Sequence, residues 1–207
     1  VTLREAQEAK LDRACRKLDL GPDDHLLEIG TGWGSMALHA AGNYGCRVTT
    51  TTISGEQHAV AVERVREAGL DDRVEVVMRD YRDLRGCYSK LVSVEMIEAV
   101  GWQYFDVFFK SCSRLLAPDG LMLLQAIVRP HYLFRHERSA DTLIGRVWPG
   151  GCVPSIPALT DSTGRTDLVG PESTVELTHA QFRSVRRLAA ELPAEAAVLP
   201  THGFGSF

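Results

Sequence analysis

The chain has 207 residues, of which 44% are hydrophobic and 24% are charged, with a formal net charge of -4. This length and hydrophobic content suffice for one well-formed core and a small appendage. No basic stripe stands out, which argues against a nucleic-acid partner. No stretch approaches the roughly 20 apolar residues of a membrane span, and no signal peptide is visible. We therefore expect a cytoplasmic protein.

The five cysteines are odd in number, scattered along the chain, and form no C-x-x-C pair. This pattern is typical of reduced thiols rather than of a disulfide framework or a zinc site. His131 and His136 also lack the spacing of metal ligands and are expected in a solvated loop. We therefore expect no metal site.

The hydrophobic spacing predicts a helix over 3–18, with Leu3, Leu11 and Leu18 on one buried stripe. An apolar run at 25–30 predicts a buried strand, and the sequence after its turn predicts a helix over 35–41. Alternating strands and helices follow: strands over 47–54, 73–80, 90–96 and 121–128, and helices over 56–68 and 104–116. This alternation predicts an α/β fold with a doubly wound, mostly parallel sheet.

The stretch LLEIGTGWG at 26–34 places glycine at every second position of the turn between the first strand and its helix. Glycine lets the backbone approach a ligand closely, and the amides of the following helix point toward that ligand. Parallel sheets bind ligands at the carboxyl ends of their strands. The loop therefore predicts a site for a nucleotide-like cofactor.

The residues that follow the loop argue against two common cofactors. A dinucleotide fold places an acid about 20 residues past the glycines, whereas this chain has four threonines at 49–52. No Lys-Ser or Lys-Thr pair follows the glycines either, which excludes the phosphate-binding loop of nucleotide hydrolases. NAD and ATP both fit poorly.

Seven segments occur in the same order in one known family: AQEAKLDR, LLEIGTGWG, TTISGEQ, RDYRDL, SVEMIEAVG, LMLLQAIV and VWPGGCVPS. On these segments, residues 2–156 resemble the catalytic domain of the cyclopropane-fatty-acyl-phospholipid synthases and their mycolic-acid relatives, which use S-adenosylmethionine. The resemblance implies the class I methyltransferase fold, here with a sheet incomplete at its C-terminal strands. It also implies that the chain begins where the family's catalytic domain begins.

The resemblance implies a set of cofactor-binding residues. The glycine loop would hold the methionine part of the cofactor, the T-x-S-x-x-Q motif the ribose, and the residues after the third strand the adenine. These residues are Glu28, Gly30, Gly32, Trp33, Gly34 and Ser35; Thr52, Ser54 and Gln57; and Asp80, Tyr81 and Arg82. A neutral site with aromatic walls suits a purine and a sulfonium.

The resemblance also implies a reaction on unsaturated acyl chains of phospholipids, with transient contact at the inner membrane face. The alkene attacks the sulfonium methyl group, and a bound bicarbonate removes a proton to close a cyclopropane ring. Glu98 matches the acid that contacts the bicarbonate, and Ile127 matches an isoleucine whose backbone does so.

Two positions depart from the family's pattern. Its loop cysteine is Thr31 here, and its strand histidine is Gln125. Neither residue carries positive charge, so anion binding is expected to be weaker. Such a site would methylate the acyl chain and leave a methyl or methylene branch instead of a ring.

Residues 158–207 depart from the family and look like the end of a metallo-β-lactamase-fold hydrolase, with a helix over 172–191 and an apolar run at 196–199. His202 matches one metal ligand of that fold, but the HxHxDH cluster is absent. We therefore predict a methyltransferase domain over 1–157 joined near 156–162 to an unrelated segment, through a natural fusion, a frameshifted or misassembled gene, or a truncation. Two alternative functions stay open: a non-catalytic remnant that binds the cofactor, and a metal-dependent hydrolase.

Overall fold

The computed structural model describes residues 2–137 and 151–163. The chain divides into two compact units, one formed by Val1–Met96 and Ser111–Gln125, the other by Ile97–Lys110 and Ala126–Phe207. The first unit contains the sheet and the glycine loop. The predicted helix over 172–191, the apolar run at 196–199 and His202 lie outside the described residues.

The first unit contains a five-stranded parallel sheet with the strand order β3-β2-β1-β4-β5. In chain order its elements are α1 (Leu3–Lys17), β1 (His25–Ile29), α2 (Ser35–Tyr44), β2 (Arg47–Thr52), α3 (Gly55–Glu67), β3 (Val74–Met78), β4 (Tyr88–Val94) and β5 (Leu116–Gln125). A short 3-10 turn at Tyr81–Asp83 lies between β3 and β4. This architecture confirms the predicted α/β fold with a doubly wound parallel sheet.

The core forms where helices α1 and α2 cover the sheet. The central strand β1 is buried along most of its length, and small residues on α2 let that helix pack closely. The buried cluster includes Leu18 of the first helical segment, Leu26, Ala37, Val48 and Val92. The resulting close packing fixes the ends of the central strands, which are the places where a ligand site of such a sheet is built.

Helix α1 begins with a capping box. Thr2 Oγ1 accepts a hydrogen bond from Glu5 N, and Thr2 N donates to Glu5 Oε2. The predicted buried stripe is wrong at its start, because Leu3 is 78% exposed, whereas Ala14, Cys15 and Leu18 are buried. Only the C-terminal half of this helix covers the core.

Strand β5 ends at Gln125 instead of at the predicted residue 128. Gln125 pairs in register with Val94, which is the last residue of β4. Beyond that pair β5 has no β4 residue to pair with, so the apolar residues 126–128 do not continue the strand. Their hydrophobicity alone suggested a longer element.

The second unit contains two short helices, α5 (His131–Glu137) and α6 (Ile156–Thr163), and helix α4 (Phe105–Leu115) contributes residues to both units. One expectation is wrong here. His131 and His136 lie in a helix instead of a loop, and His131 Nδ1 lies 2.8 Å from Ser155 Oγ. Pro157 lies in the first turn of α6, a position that tolerates proline because its missing N–H would have no helical partner.

Within the described ranges 2–137 and 151–163, no helix is long and apolar enough to cross a membrane. None of the five cysteines, all of which the structure describes, forms a disulfide, and only Cys87 is exposed.

Candidate functional site

The glycine loop leaves the carboxyl end of β1 in a conformation that only glycine adopts without strain. Gly30, Gly32 and Gly34 have φ angles of 102°, 51° and 84°, in the left-handed region that costs other residues about 1–2 kcal/mol. The amides of Gly30 and Thr31 both donate to the carbonyl of Thr51 at 3.1 Å, which fastens the loop to β2. Gly34 then caps the N-terminus of α2.

The three glycines differ in what their missing side chains would meet. A Cβ on Gly30 would lie 3.0 Å from Met96 Cγ, and one on Gly34 would lie 3.3 Å from Ala61 Cβ. A Cβ on Gly32 would meet nothing within 4 Å. Protein packing therefore accounts for Gly30 and Gly34, whereas Gly32 faces open space that a ligand can fill.

Glu28 lies on β1 just before this loop and is 3% exposed. Burial raises the pKa of its carboxyl to about 8, and the hydroxyl of Thr50 offsets this effect only in part. Its Oε2 atom has no hydrogen-bond partner among the described residues. A buried polar atom without a partner is costly in a folded protein, so this oxygen is suited to a hydrogen-bond donor or cation of a ligand.

Thr31, the residue that stands in place of the family's cysteine, is buried within the first unit. Its Oγ1 lies 2.7 Å from Thr50 Oγ1. The two hydroxyls satisfy each other between the loop and β2. Thr31 therefore has a packing role in addition to the catalytic role that the resemblance implies for it.

The T-x-S-x-x-Q residues form one hydrogen-bonded turn at the start of α3. Ser54 Oγ accepts from Gln57 N at 3.2 Å and thus caps the helix. Thr52 Oγ1 donates to Gln57 Oε1 at 2.9 Å. Because the carbonyl oxygen of Gln57 accepts from Thr52, its NH2 group is the part that remains for an acceptor such as a ribose hydroxyl.

Asp80 and Arg82 form a close ion pair after β3. Arg82 Nε donates to Asp80 Oδ1 at 2.9 Å, and Arg82 Nη2 donates to Asp80 Oδ2 at 2.6 Å. The hydrogen bonds from Arg82 lower the pKa of Asp80, and burial raises the pKa of neighbouring Tyr81. The pair neutralises its own charges beside a half-buried aromatic ring, which agrees with the neutral surroundings expected for a purine.

Large apolar side chains are exposed along the carboxyl edge of β1, β2 and β3. Trp33 follows β1, Ile53 follows β2, and Met78 ends β3. Thr52 and Met78 are register partners, so the ends of β2 and β3 lie side by side. Exposed apolar groups at this edge are suited to the flat face of an aromatic ligand.

Glu98 lies in the turn Ile97–Ala99, in the second unit, and is 3% exposed. Its Oε1 accepts from Ile127 N at 2.5 Å, and its backbone carbonyl accepts from Cys152 N at 2.7 Å. The structure therefore brings together two of the four catalytic residues that the resemblance implies. Their common contact with a bicarbonate stays a prediction.

Arg64 and Glu95, two residues of the first unit that the sequence did not assign to a site, contact residues that it did assign, and Lys10 contacts Glu95. Arg64 of α3 donates to the carbonyl of Trp33 at 2.5 Å and thus supports the glycine loop. Glu95 Oε1 accepts from Gln125 Nε2 at 2.8 Å and lies 3.3 Å from Lys10 Nζ. No local motif indicates these contacts, because they join residues 30 or more positions apart.

Among the residues that the structure describes, no group of three or more His, Cys, Asp or Glu side chains could hold a metal ion.

Sequence comparison finds that a family model described as mycolic acid cyclopropane synthetase matches residues 1–184. The chain is 41% identical over 164 residues to the tuberculostearic acid methyltransferase UfaA1 of Mycobacterium tuberculosis. This match covers 79% of this chain and 38% of that protein. It is 39% identical over 162 residues to the cyclopropane-fatty-acyl-phospholipid synthase of Escherichia coli, which covers 78% and 40%. The chain spans about two fifths of the length of these relatives.

Two solved structures are similar over 92% of this chain. One is the mycolic acid cyclopropane synthase CmaA1 complexed with SAH and CTAB, with a TM-score of 0.72, 28% identity and 74% of that chain covered. The other is the cyclopropane synthase MmaA2 from Mycobacterium tuberculosis, with a TM-score of 0.69, 25% identity and 74% covered. These similarities confirm the predicted methyltransferase fold class. The predicted division of the chain at residue 157 stays a prediction, and the family match runs past it to residue 184.

Proposed function

Because the chain belongs to the mycolic acid cyclopropane synthetase family, we propose that it binds S-adenosylmethionine at the carboxyl edge of its sheet. We further propose that it is part of a C-methyltransferase that acts on unsaturated acyl chains of phospholipids. The names of its relatives, a tuberculostearic acid methyltransferase and a cyclopropane-fatty-acyl-phospholipid synthase, support this substrate class. The SAH in the similar CmaA1 structure supports the cofactor.

One observation carries the cofactor proposal: the open space at Gly32 lies in the loop that directly follows buried Glu28. The unpartnered Oε2 of Glu28 offers an acceptor to the amino group at the methionine end of the cofactor. A positive group there favours the ionised carboxylate, so binding lowers the pKa of Glu28 from about 8. We therefore expect cofactor binding near neutral pH to release protons.

The other cofactor-binding residues serve the nucleoside. Gln57 can donate its NH2 group to the ribose, since Thr52 already donates to its carbonyl oxygen. Tyr81, with the ion pair of Asp80 and Arg82 beside it, would flank the adenine. Trp33, Ser35 and the remaining loop glycines would enclose the methionine part. No charged side chain is required for the purine, in agreement with the neutralised pair.

S-adenosylmethionine, when bound, supplies an electrophilic methyl group. The residues of this chain then have to hold the acceptor alkene, exclude water and take up a proton. Glu98 is the carboxylate that we propose for the proton-handling region, and its hydrogen bond from Ile127 N holds one of its oxygens in place. A role for bicarbonate at this position belongs to the proposal as well.

The replacement of the family's cysteine and histidine by Thr31 and Gln125 weakens anion binding. We therefore propose that the carbocation left by methyl transfer loses a proton without closing a ring. The product then carries a methylene branch, formed after a hydride shift, or a methyl branch beside a double bond of the chain. Access to acyl chains would require transient contact with a membrane surface.

Calorimetry with S-adenosylhomocysteine tests the cofactor proposal. We expect micromolar binding, accompanied by proton release that appears as a dependence of the binding heat on the ionisation enthalpy of the buffer. The absence of binding would contradict the proposal. Transfer of labelled methyl groups to vesicles of unsaturated phosphatidylglycerol, followed by mass spectrometry, tests the reaction. A branched product supports the proposal, a cyclopropane contradicts its product, and cofactor binding without transfer supports the non-catalytic alternative.

A further inference from the structure

Glu95 and Gln125 are joined by two hydrogen bonds at the carboxyl ends of β4 and β5. Glu95 N donates to the carbonyl of Gln125 at 2.8 Å, and Gln125 Nε2 donates to Glu95 Oε1 at 2.8 Å. A carboxylate only accepts hydrogen bonds, so it selects the NH2 group of the amide and not its carbonyl oxygen. The contact therefore fixes the orientation of the Gln125 amide, with its NH2 group toward Glu95.

Glu95 occupies a backbone conformation that does not favour a glutamate. Its φ angle is 51°, in the left-handed region that glycine adopts without strain. Its side chain is 42% exposed, and that of Lys10, its ion-pair partner, is 34% exposed. Ion pairs that are exposed to this extent contribute little to stability. Neither the backbone nor the ion pair therefore accounts for a glutamate at this position, whereas the hydrogen bond to Gln125 does.

We propose that Glu95 is a positioning residue that turns the NH2 group of Gln125 toward itself and leaves the carbonyl oxygen of Gln125 to face a ligand. This inference rests on the proposed function, in which Gln125 belongs to the catalytic residues. Lys10 Nζ and Gln125 Nε2 both donate to Glu95 Oε1. Lys10 therefore neutralises the carboxylate, and because an ammonium group only donates, it cannot replace Glu95 as the acceptor for the NH2 group of Gln125.

The orientation reverses the chemistry that the resemblance implies for position 125. There a histidine would donate to an anion, whereas a carbonyl oxygen presents the negative end of a dipole. Such an oxygen stabilises a cationic centre and disfavours an anion. The ligand class that Gln125 selects is therefore a cation, such as a sulfonium or an electron-poor carbon, and not bicarbonate.

Hydrogen exchange of side-chain amides in the 15N-labelled full chain tests the orientation. The signal of Gln125 is assigned by its loss in Gln125→Met, and exposed Gln103 serves as the internal reference. We expect the NH2 protons of Gln125 to exchange at least about tenfold more slowly than those of Gln103, because a hydrogen-bonded amide is protected. Equal exchange rates in the unmodified chain would overturn the proposal.

Two variants separate positioning from a structural role. Glu95→Gly removes the carboxylate and also relieves the left-handed backbone, so the melting temperature should not fall while the protection of Gln125 is lost. Lys10→Met removes the ion pair but keeps the carboxylate, and the protection should remain. Protection that survives Glu95→Gly, or that disappears in Lys10→Met, would contradict the assignment.

The preference for a cation is tested by the ratio of the affinities for S-adenosylmethionine, a sulfonium, and S-adenosylhomocysteine, its uncharged counterpart. We expect Glu95→Gly to lower this ratio about threefold, with unchanged affinity for S-adenosylhomocysteine. An unchanged ratio would overturn the assignment to a cation. If the unmodified chain binds neither compound, the proposed function fails, while amide exchange still decides the orientation of Gln125 by itself.

Discussion

The two edges of the parallel sheet in the first unit differ in whether their polar groups have hydrogen-bond partners within the protein. At the amino edge, Ser89 Oγ donates to Asp24 Oδ1 at 2.7 Å and accepts from His25 N at 3.0 Å. His25 Nε2 lies 2.9 Å from Thr49 Oγ1. At the carboxyl edge, by contrast, Glu28 Oε2 is buried without a partner among the described residues, and Gly32 faces open space.

This difference indicates that the polar groups of the amino edge stabilise the fold, whereas those of the carboxyl edge are available to bind a ligand. Hydrogen bonds among the residues of the amino edge satisfy its polar atoms and contribute to the stability of the folded chain. The carboxyl edge keeps an unsatisfied carboxyl and exposed apolar side chains, both of which lower stability. Features of this kind persist where they serve binding. Variants at the amino edge should therefore lower stability without changing cofactor affinity, whereas variants of Glu28 and Gly32 should lower cofactor affinity.

The largest effect is expected at Glu28, through the pH dependence of stability. Its pKa is raised from 4.5 to about 8, so the folded chain binds a proton that the unfolded chain has lost between these pH values. The stabilisation is complete below pH 4.5 and is lost as the pH rises through 8. This contribution to the free energy of unfolding is on the order of 5 kcal/mol.

The variant Glu28→Gln should abolish this decline and should be more stable than the unmodified chain at pH 8, while its affinity for S-adenosylhomocysteine falls. Urea denaturation between pH 5 and pH 8 measures the effect. Glu8→Gln is the control, because Glu8 is exposed on α1 and its replacement should leave the pH profile of stability unchanged. Parallel profiles of Glu28→Gln and the unmodified chain would refute the account of Glu28.

The next effect is expected at Gly32. The variant Gly32→Ala places a methyl group in the open space of the loop and should weaken S-adenosylhomocysteine binding about 100-fold. Gly69→Ala is a matched control, because Gly69 has a similar φ of 64° and also has nothing within 4 Å of its missing Cβ. Both variants should lose about 1 kcal/mol of stability from backbone strain, but only Gly32→Ala should lose affinity in calorimetry. Equal affinities of the two variants would argue against a ligand at Gly32.

The smallest effect is expected at the amino edge. Ser89→Ala removes the acceptor of His25 N and the donor to Asp24, and should lower the free energy of unfolding by about 1–2 kcal/mol. Affinity for S-adenosylhomocysteine should stay within twofold of the unmodified chain. Denaturation and calorimetry on the same preparation measure both quantities. A loss of affinity as large as that of Gly32→Ala would remove the distinction between the two edges.

The sequence was sufficient to predict the sheet, the glycine turn and the position of Glu28, because these follow from local hydrophobic patterns and from glycine's conformational freedom. It could not reveal what each glycine faces. Gly30 packs against Met96, and Gly34 packs against Ala61. These contacts join distant parts of the chain. The residues of the loop motif are identical whether a glycine contacts protein or ligand, so the motif cannot distinguish the two cases.

Longer-range effects also explain the remaining errors. The end of β5 is set by the length of β4, and apolar residues after Gln125 could not signal that the partner strand had ended. The strained backbone of Glu95 and its contact with Gln125 likewise depend on the meeting of two strands. The roles of Thr31, Gln125, Glu98 and Ile127 came from the family resemblance and stay predictions, although Glu98 and Ile127 do contact each other.

A titration of the 15N-labelled chain with S-adenosylhomocysteine, followed by backbone amide shifts, compares the two edges most directly. We expect large shifts for Gly30, Thr31 and Gly32, and little change for Asp24 and His25. Shifts concentrated at the amino edge, or no shifts at the glycine loop at millimolar ligand, would contradict the placement of the cofactor.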